Sequence, residues 1–413
     1  MTRRMKDSGV EWIGLIPEDW KIEKTKYHFF NKKEIVGIKA DNYERLALTL
    51  KGVVKRSKDD NEGLQPEKFE TYQILRKNEL VFKLIDLQNI STSRIGLSNF
   101  IGIVSPAYII IKANNNINVR FVEKYYLSLW YFQIFNKLGD AGVRSSLNAN
   151  DLLNILLPIP PLPEQQAIAD YLDDKCAQID NITATINEQI EVLKQYKKSV
   201  ITEAVTKGLD PNVPMKDSGV DIFGKIPFSW NLIRLKYLTE ITTGNMDTQD
   251  AEEDGIYPFY VRSPKVEHSN VYTFDGEGIL MAGDGAGAGK VFHHAYGKFA
   301  VHQRVYIIYN FKNINSNFLF YFLENLFSEE INKGSAQSTV PSIRLYMLHN
   351  FNVCVPTIRE QEAIADYLDD KCTKIDAIIA DKQAQLETLA AYKKSLIYEY
   401  VTGKKSVPGF EEA

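Results

Sequence analysis

The sequence predicts an α+β fold: two mixed α/β bodies separated by two long antiparallel coiled-coil helices, related by a pseudo-two-fold internal repeat. Two observations carry this expectation. Two blocks recur: "MKDSGVEWIGLIPEDW" (residues 5–20) matches "MKDSGVDIFGKIPFSW" (215–230) at 10 of 16 positions, and "EQQAIADYLDDKCAQID" (164–180) matches "EQEAIADYLDDKCTKID" (360–376) at 14 of 17. Such self-similarity marks a duplicated unit. Each copy of the second block also opens a long run with helical periodicity and no internal glycine or proline. The offset between copies is 210 for the first block and 196 for the second, so the first body is 14 residues longer, and apart from scattered apolar positions the bodies differ.

In chain order, residues 1–20 form the first copy of the short segment and 21–158 the first body. Within that body "NELVFKLI" and "GIVSPAYIIIKA" have the β-branched and aromatic content of strands, and "RFVEKYYLSLWYFQIFNK" reads as a helix closed by Gly139. Residues 159–208 hold the central helix: Pro163 stands ahead of a run without glycine or proline, and Lys207, Gly208 and Pro211 end it. Leu172, Ile179, Ile186, Leu193 and Val200 fall seven apart, with Ile168, Ile182 and Tyr196 as the companion row, which is a heptad seam. About 43 residues (164–206) at ~1.5 Å each give a helix on the order of 65 Å.

Residues 209–230 form a linker and the second copy of the short segment, and 231–356 the second body, with "EGILMA" and "KFAVHQRVYIIYN" as strands and "NFLFYFLENLFSEEINK" as a helix closed by Gly334. Residues 357–413 hold the second long helix, where Leu368, Ile375, Leu389 and Leu396 keep the register and Lys382 takes the place of Ile186. A duplicated unit that pairs with itself resembles a homodimer on one chain, so the helix pair is expected to be isologous and antiparallel. With the axis near residue 185, Cys176 and Cys372 then lie roughly 27 Å apart at ~1.5 Å per residue and form no disulfide. A parallel pair, or helices packed on their own bodies, is the alternative.

Composition narrows the function. No apolar run approaches the ~18 residues of a membrane span, and the N-terminus lacks the apolar stretch of a secretory signal, so the expected setting is soluble and cytoplasmic. The 3 cysteines, Cys176, Cys354 and Cys372, make no Cys-x-x-Cys pair and suggest neither a disulfide framework nor a metal site. The first body is basic, with 21 Lys and Arg against 14 Asp and Glu over residues 21–156, while the second has 10 against 13 over 231–356. The first is compatible with phosphate contact, although a pI of about 6.0 for the chain is no nucleic-acid signature.

No catalytic constellation is visible. "GDGAGAGK" (283–290) departs from a phosphate-binding loop at Asp284, where glycine is needed, and at Val291, where Ser or Thr would hold magnesium, so a glycine-rich turn between strands is the better account. The Asn/Asp-Pro-Pro-aromatic loop of adenine methyltransferases is absent, since "PIPPLPEQ" lacks both the amide or carboxylate and the stacking ring. His293, His294 and His302 read as structural or surface groups.

The order "MKDSGVEWIGLIPEDW", variable body, "LPIPPLPEQQAIADYLDDKCAQID", long helix, "VTKGLDPNVPMKDSGVDIFGKIPFSW", second body, "REQEAIADYLDDKC" resembles the DNA-specificity (S) subunit of type I restriction-modification systems over essentially the whole chain. The resemblance implies a non-catalytic DNA reader. Each body would be a target recognition domain for one half of a bipartite double-stranded DNA sequence. The helices would set the spacing and bind two methyltransferase subunits. Restriction and motor subunits would join for cleavage, and S-adenosylmethionine, ATP and Mg would be used by those partners, with no cofactor on this chain. Asp170, Asp173, Asp174 and their copies Asp366, Asp369, Asp370 are either a solvated helix face or a methyltransferase-facing surface.

Base edges are read by Arg, Lys, Asn, Gln, Ser and Thr. The candidates are Lys83, Ser91, Ser93, Arg94 and Arg144 in the first body, and Lys290, Gln303, Arg304, Gln337 and Ser338 in the second. "HQR" (302–304) replaces "SPA" (105–107), and Val340 stands where the first body has Arg144, so no contact transfers from one body to the other. Two rival readings are a coiled-coil scaffold without DNA specificity and a nucleotide hydrolase built on residues 283–290.

Overall fold

A computed structural model describes residues 3–60, 68–88, 93–114, 116–139, 146–334 and 342–410. It divides into two compact units, residues 1–186 with 384–413, and residues 187–383. The division runs through both long helices, so each unit contains one variable body, here called a head, one copy of the short segment and a stretch of each helix.

In the first unit the head holds two four-stranded sheets. One has the order Gly52–Arg56, Arg45–Thr49, Gly102–Val104, Gln73–Leu75; the other runs Phe29–Asn31, Ile109–Ala113, Leu80–Phe82, Ile95–Leu97. All pairings are antiparallel except Arg45–Thr49 with Gly102–Val104. The expected single helix is two, Val119–Tyr131 and Ile134–Leu138, because Gln133 adopts a left-handed conformation (φ 57°) that interrupts the hydrogen-bond ladder.

The second head has one six-stranded sheet, ordered Glu240–Thr243, Val305–Tyr309, Phe274–Ala282, Phe292–Val301, Tyr257–Tyr260, Glu267–Ser269, again antiparallel but for one pair. The long hairpin Phe274–Ala282/Phe292–Val301 corresponds to four short strands of the first head. There the hairpin is interrupted where Glu79 is buried and its carboxylate accepts the backbone N–H of Arg76 at 2.8 Å, while Asn78 N–H donates to the Ser98 carbonyl. The Glu79 charge is paired with Lys32 Nζ at 2.9 Å, and around this interruption the first head has two sheets where the second has one.

The long helices run Leu162–Lys207 and Ile358–Val401. Pro163 falls in the first turn rather than ahead of it, where its missing N–H costs nothing. Within each unit the two helices are antiparallel. In the first, Lys393 Nζ donates to Asp180 Oδ1 at 2.6 Å and the Tyr400 and Tyr171 rings lie tilted with centroids 4.7 Å apart; in the second, Lys197 Nζ donates to Asp376 Oδ2 at 2.7 Å. The two ion pairs are the same duplicated residues.

Leu172, Ile179, Ile186, Leu368, Ile375 and Leu396 are buried in the seam, and Leu193, Val200 and Leu389 are half-buried. The companion row differs from the expected one. Ile168 is buried, but Ile182 and Tyr196 are exposed, and the second row is Cys176, Thr183, Ile190, Lys197, matched by Cys372, Ile379, Leu386 and Lys393. Alternate spacings of four and three allow the second row on either side of the first, and polar Thr183 and Lys197 hide the true one. Cys176, Cys354 and Cys372 are buried free thiols.

Candidate nucleic-acid interface

The duplicated blocks meet one another in each unit. Trp20 is fully buried and donates its indole N–H to Glu164 at 2.8 Å; Trp230, equally buried, donates to Glu360 at 3.0 Å. The next residue anchors the head: Gln165 Oε1 accepts the backbone N–H of Asn118 (2.9 Å), just ahead of the head helix, and Gln361 does the same for Asn315 (2.7 Å). Each glutamine amide also donates to a proline carbonyl, Pro160 or Pro356, at 2.9 Å. The last turn of a long helix completes the joint. A Cβ on Gly403 would stand 2.4 Å from Pro17, and one on Gly208 3.2 Å from Trp230. Two heads are thus held on one design of support.

The acidic block is used differently in the two units. Asp170 and Asp173 pair with Arg120 and Lys124 of the first head helix, whereas Asp369 accepts the hydroxyl of Tyr321 at 2.7 Å and Asp370 pairs with Lys374. Part of this face therefore grips its own head.

In the first head, Ser93 and Arg94 do not face solvent, contrary to expectation. Arg94 is 1% exposed and donates to the carbonyls of Ile85 (3.2 Å) and Asp86, closing the turn after Leu80–Phe82, while the Ser93 hydroxyl donates to the Ile95 carbonyl at 2.6 Å. A guanidinium with several donors can close a turn in one step, and that use leaves it no base to read. Lys83 is half-buried, and burial, then the adjacent Arg94 charge, pulls its ammonium below the ordinary value. Ser91, Arg144, Gln337 and Ser338 lie outside the described residues.

In the second head, Lys290, Gln303 and Arg304 are exposed. Three loops converge around Arg304. Its backbone N–H donates to His302 Nδ1 (2.9 Å), its carbonyl accepts from Gly283 N–H (2.9 Å), and the Gly283 carbonyl accepts from Ile343 N–H (2.7 Å). Burial, then the Arg262 charge, holds the His302 imidazole below its ordinary value, which suits an Nδ1 that accepts. Asp284 joins two guanidiniums, Arg262 Nη1 to Oδ1 at 2.9 Å and Arg304 Nη1 to Oδ2 at 2.5 Å. Burial acts to raise its carboxyl, but both arginines hold it below the ordinary carboxylate value. Gln303 turns to Asp247 at 3.0 Å. Arg262 and the role of Asp284 escape sequence reading, because only the folded sheet brings residues 22 and 20 positions apart to one carboxylate.

The glycines of residues 283–290 serve packing. A Cβ on Gly283 would meet the Tyr306 ring at 2.9 Å, and one on Gly287 the Arg262 carbonyl at 2.4 Å. The loop leads into the strand Phe292–Val301, not into the helix N-terminus that a phosphate loop requires. Among the described residues no group of His, Cys, Asp and Glu could hold a metal ion, and no helix is long and apolar enough to cross a membrane.

Residues 17–192 and 227–388 match the family described as the type I restriction modification DNA specificity domain. The chain is 28% identical over 275 residues to the type I restriction enzyme MjaVIII specificity subunit of Methanocaldococcus jannaschii, covering 61% of this chain and 62% of that protein. It is 25% identical to the putative MjaX specificity subunit of the same organism over 95% of each. A chain solved in work on assembly and conformational transition of a type I restriction-modification system superposes with a TM-score of 0.71 at 15% identity, over 94% of this chain and 99% of that one, and shares the fold.

Proposed function

Because the chain belongs to the type I restriction-modification DNA specificity family, we propose that it is the sequence reader of a methyltransferase and restriction complex. Its two heads read unlike halves of a bipartite double-stranded DNA target. Its duplicated helical framework docks two methyltransferase subunits, with restriction and motor subunits joining for cleavage. The observation that carries this reading is the support built twice, Trp20 to Glu164 and Trp230 to Glu360, under heads whose exposed loops differ. One partner type is then engaged twice while two DNA words are read.

On this reading the chain does no chemistry itself. S-adenosylmethionine, ATP and Mg belong to the partner subunits, and the setting is the cytoplasm, where the DNA lies. The test is a genome-wide map of N6-methyladenine with and without the gene for this chain. A two-part motif that loses its methylation on deletion is the expected result. An unchanged map, together with a purified complex that binds no DNA sequence preferentially, would leave only a scaffold.

A further inference from the structure

We infer that the second head reads guanine through Arg304 and Arg262, and that Asp284 is the positioning residue that sets both. The inference rests on the specificity-subunit reading and adds the reading centre and the base. Arg304 is 60% exposed along its side chain and Arg262 40%, and each gives only Nη1 to Asp284. The Nε and Nη2 edge of each guanidinium has no partner among the described residues. That edge carries two parallel donors, which matches the O6 and N7 acceptors of guanine in the major groove.

Two arginines this close repel, and a free arginine side chain samples many rotamers. One carboxylate between them removes both problems, because it cancels half the charge and fixes the direction of each free edge. The backbone of Arg304 is held as well, from His302 on one side and Gly283 on the other. An arginine that only neutralised phosphate would need neither restraint.

Among the described residues, the equivalent place in the first head lacks this chemistry. Leu147 N–H bonds the Leu84 carbonyl as Ile343 N–H bonds that of Gly283, and Tyr108 N–H bonds the Ser105 carbonyl as Val305 N–H bonds that of His302. By that correspondence Ile85 stands for Asp284, and Pro106 and Ala107 stand for Gln303 and Arg304.

The experiment uses the full chain co-purified with its methyltransferase, selected against a randomised DNA library at two salt concentrations. The variants are R304A, R304K, R262A and D284N. The wild-type complex is expected to return a bipartite motif with guanine in one half. R304A and R304K should each lower discrimination at one position of that half about tenfold or more, with the other half unchanged. R304K keeps the charge and loses the fork. D284N should blur the same positions while binding to random DNA stays equal or rises, since a negative charge is removed.

An intact motif in all four variants would overturn the inference. So would a uniform loss over all sequences in R304A with a salt slope smaller by about one, the mark of a phosphate contact. A wild-type complex with no sequence preference would instead overturn the specificity-subunit reading, and this inference with it.

Discussion

The two heads share a strand order and differ in what they place at the same loop edge. In the first, that edge carries Ile85, Pro106 and Ala107 among the described residues, and Arg94, which donates to the Ile85 carbonyl, is turned inward; in the second it carries Arg262, Asp284, Gln303 and Arg304. Net charge points the other way, for the first head is the basic one. Charge totals therefore measure how a head is attracted to a polyanion, while discrimination depends on which few donors are exposed, oriented and unspent. The supports teach the complement: Trp, Glu and Gln are repeated where the indole bonds the Glu carboxylate and the Gln amide bonds the head backbone and a proline carbonyl, and such sites tolerate little change.

The largest test of the shared support is W20A against W230A. Each should cost about 3–5 kcal/mol in its own unit, as expected for truncating a fully buried Trp. Denaturant unfolding followed by hydrogen exchange in each unit would measure this, and unequal costs would break the equivalence of the two supports. Gln165→Ala and Gln361→Ala should cost less, about 1–3 kcal/mol, by leaving a backbone N–H near the head helix unpaired. Exchange protection at Asn118 and Asn315 should fall respectively.

Acid should separate the heads. His293, His294 and His302 of the second are all held below their ordinary value by burial, with charge-charge repulsion from Arg262 adding to this at His302. Their unfolded forms bind protons first, so the second head should lose stability as pH falls from about 6.5. In the first head Glu34 is lowered to about 2, chiefly by its hydrogen bond to Arg76. A depressed carboxylate contributes stability above its unfolded value of 4.5 that is lost as pH falls toward 2, and with both side chains 40% exposed it amounts to at most about 1 kcal/mol. Loss of exchange protection in the first head before the second during acid titration would contradict this order.

The smallest effects concern how the heads grip the helices. Arg120→Ala should cost at most about 1 kcal/mol and vanish at high salt, because its partners Asp170 and Asp173 are solvent-accessible; Tyr321→Phe should be indifferent to salt. Thermal unfolding at two ionic strengths separates them.

Much of the architecture was legible because repetition and a period of seven are local properties. The duplicated blocks, the long helices and the row from Leu172 to Val200 can each be read along the chain without knowing what lies across it. The helix break at Gln133 and the companion row through Cys176 and Ile190 could not, since a left-handed residue and the side of a seam are chosen by packing. The strand interruption of the first head near Glu79, whose charge is paired with Lys32 from another strand edge, likewise depends on what the fold brings together.

The sequence by itself determined that this protein is one framework made twice around two unlike heads. Only the tertiary structure decided which polar side chains are spent inside and which remain exposed. Arg94 finds carbonyls of its own turn and is consumed, whereas Arg262 and Arg304 meet across loops at Asp284 and, among the described residues, keep a free edge. A guanidinium bonds whatever acceptor the fold brings within about 3 Å, and nothing in the order of residues states that distance.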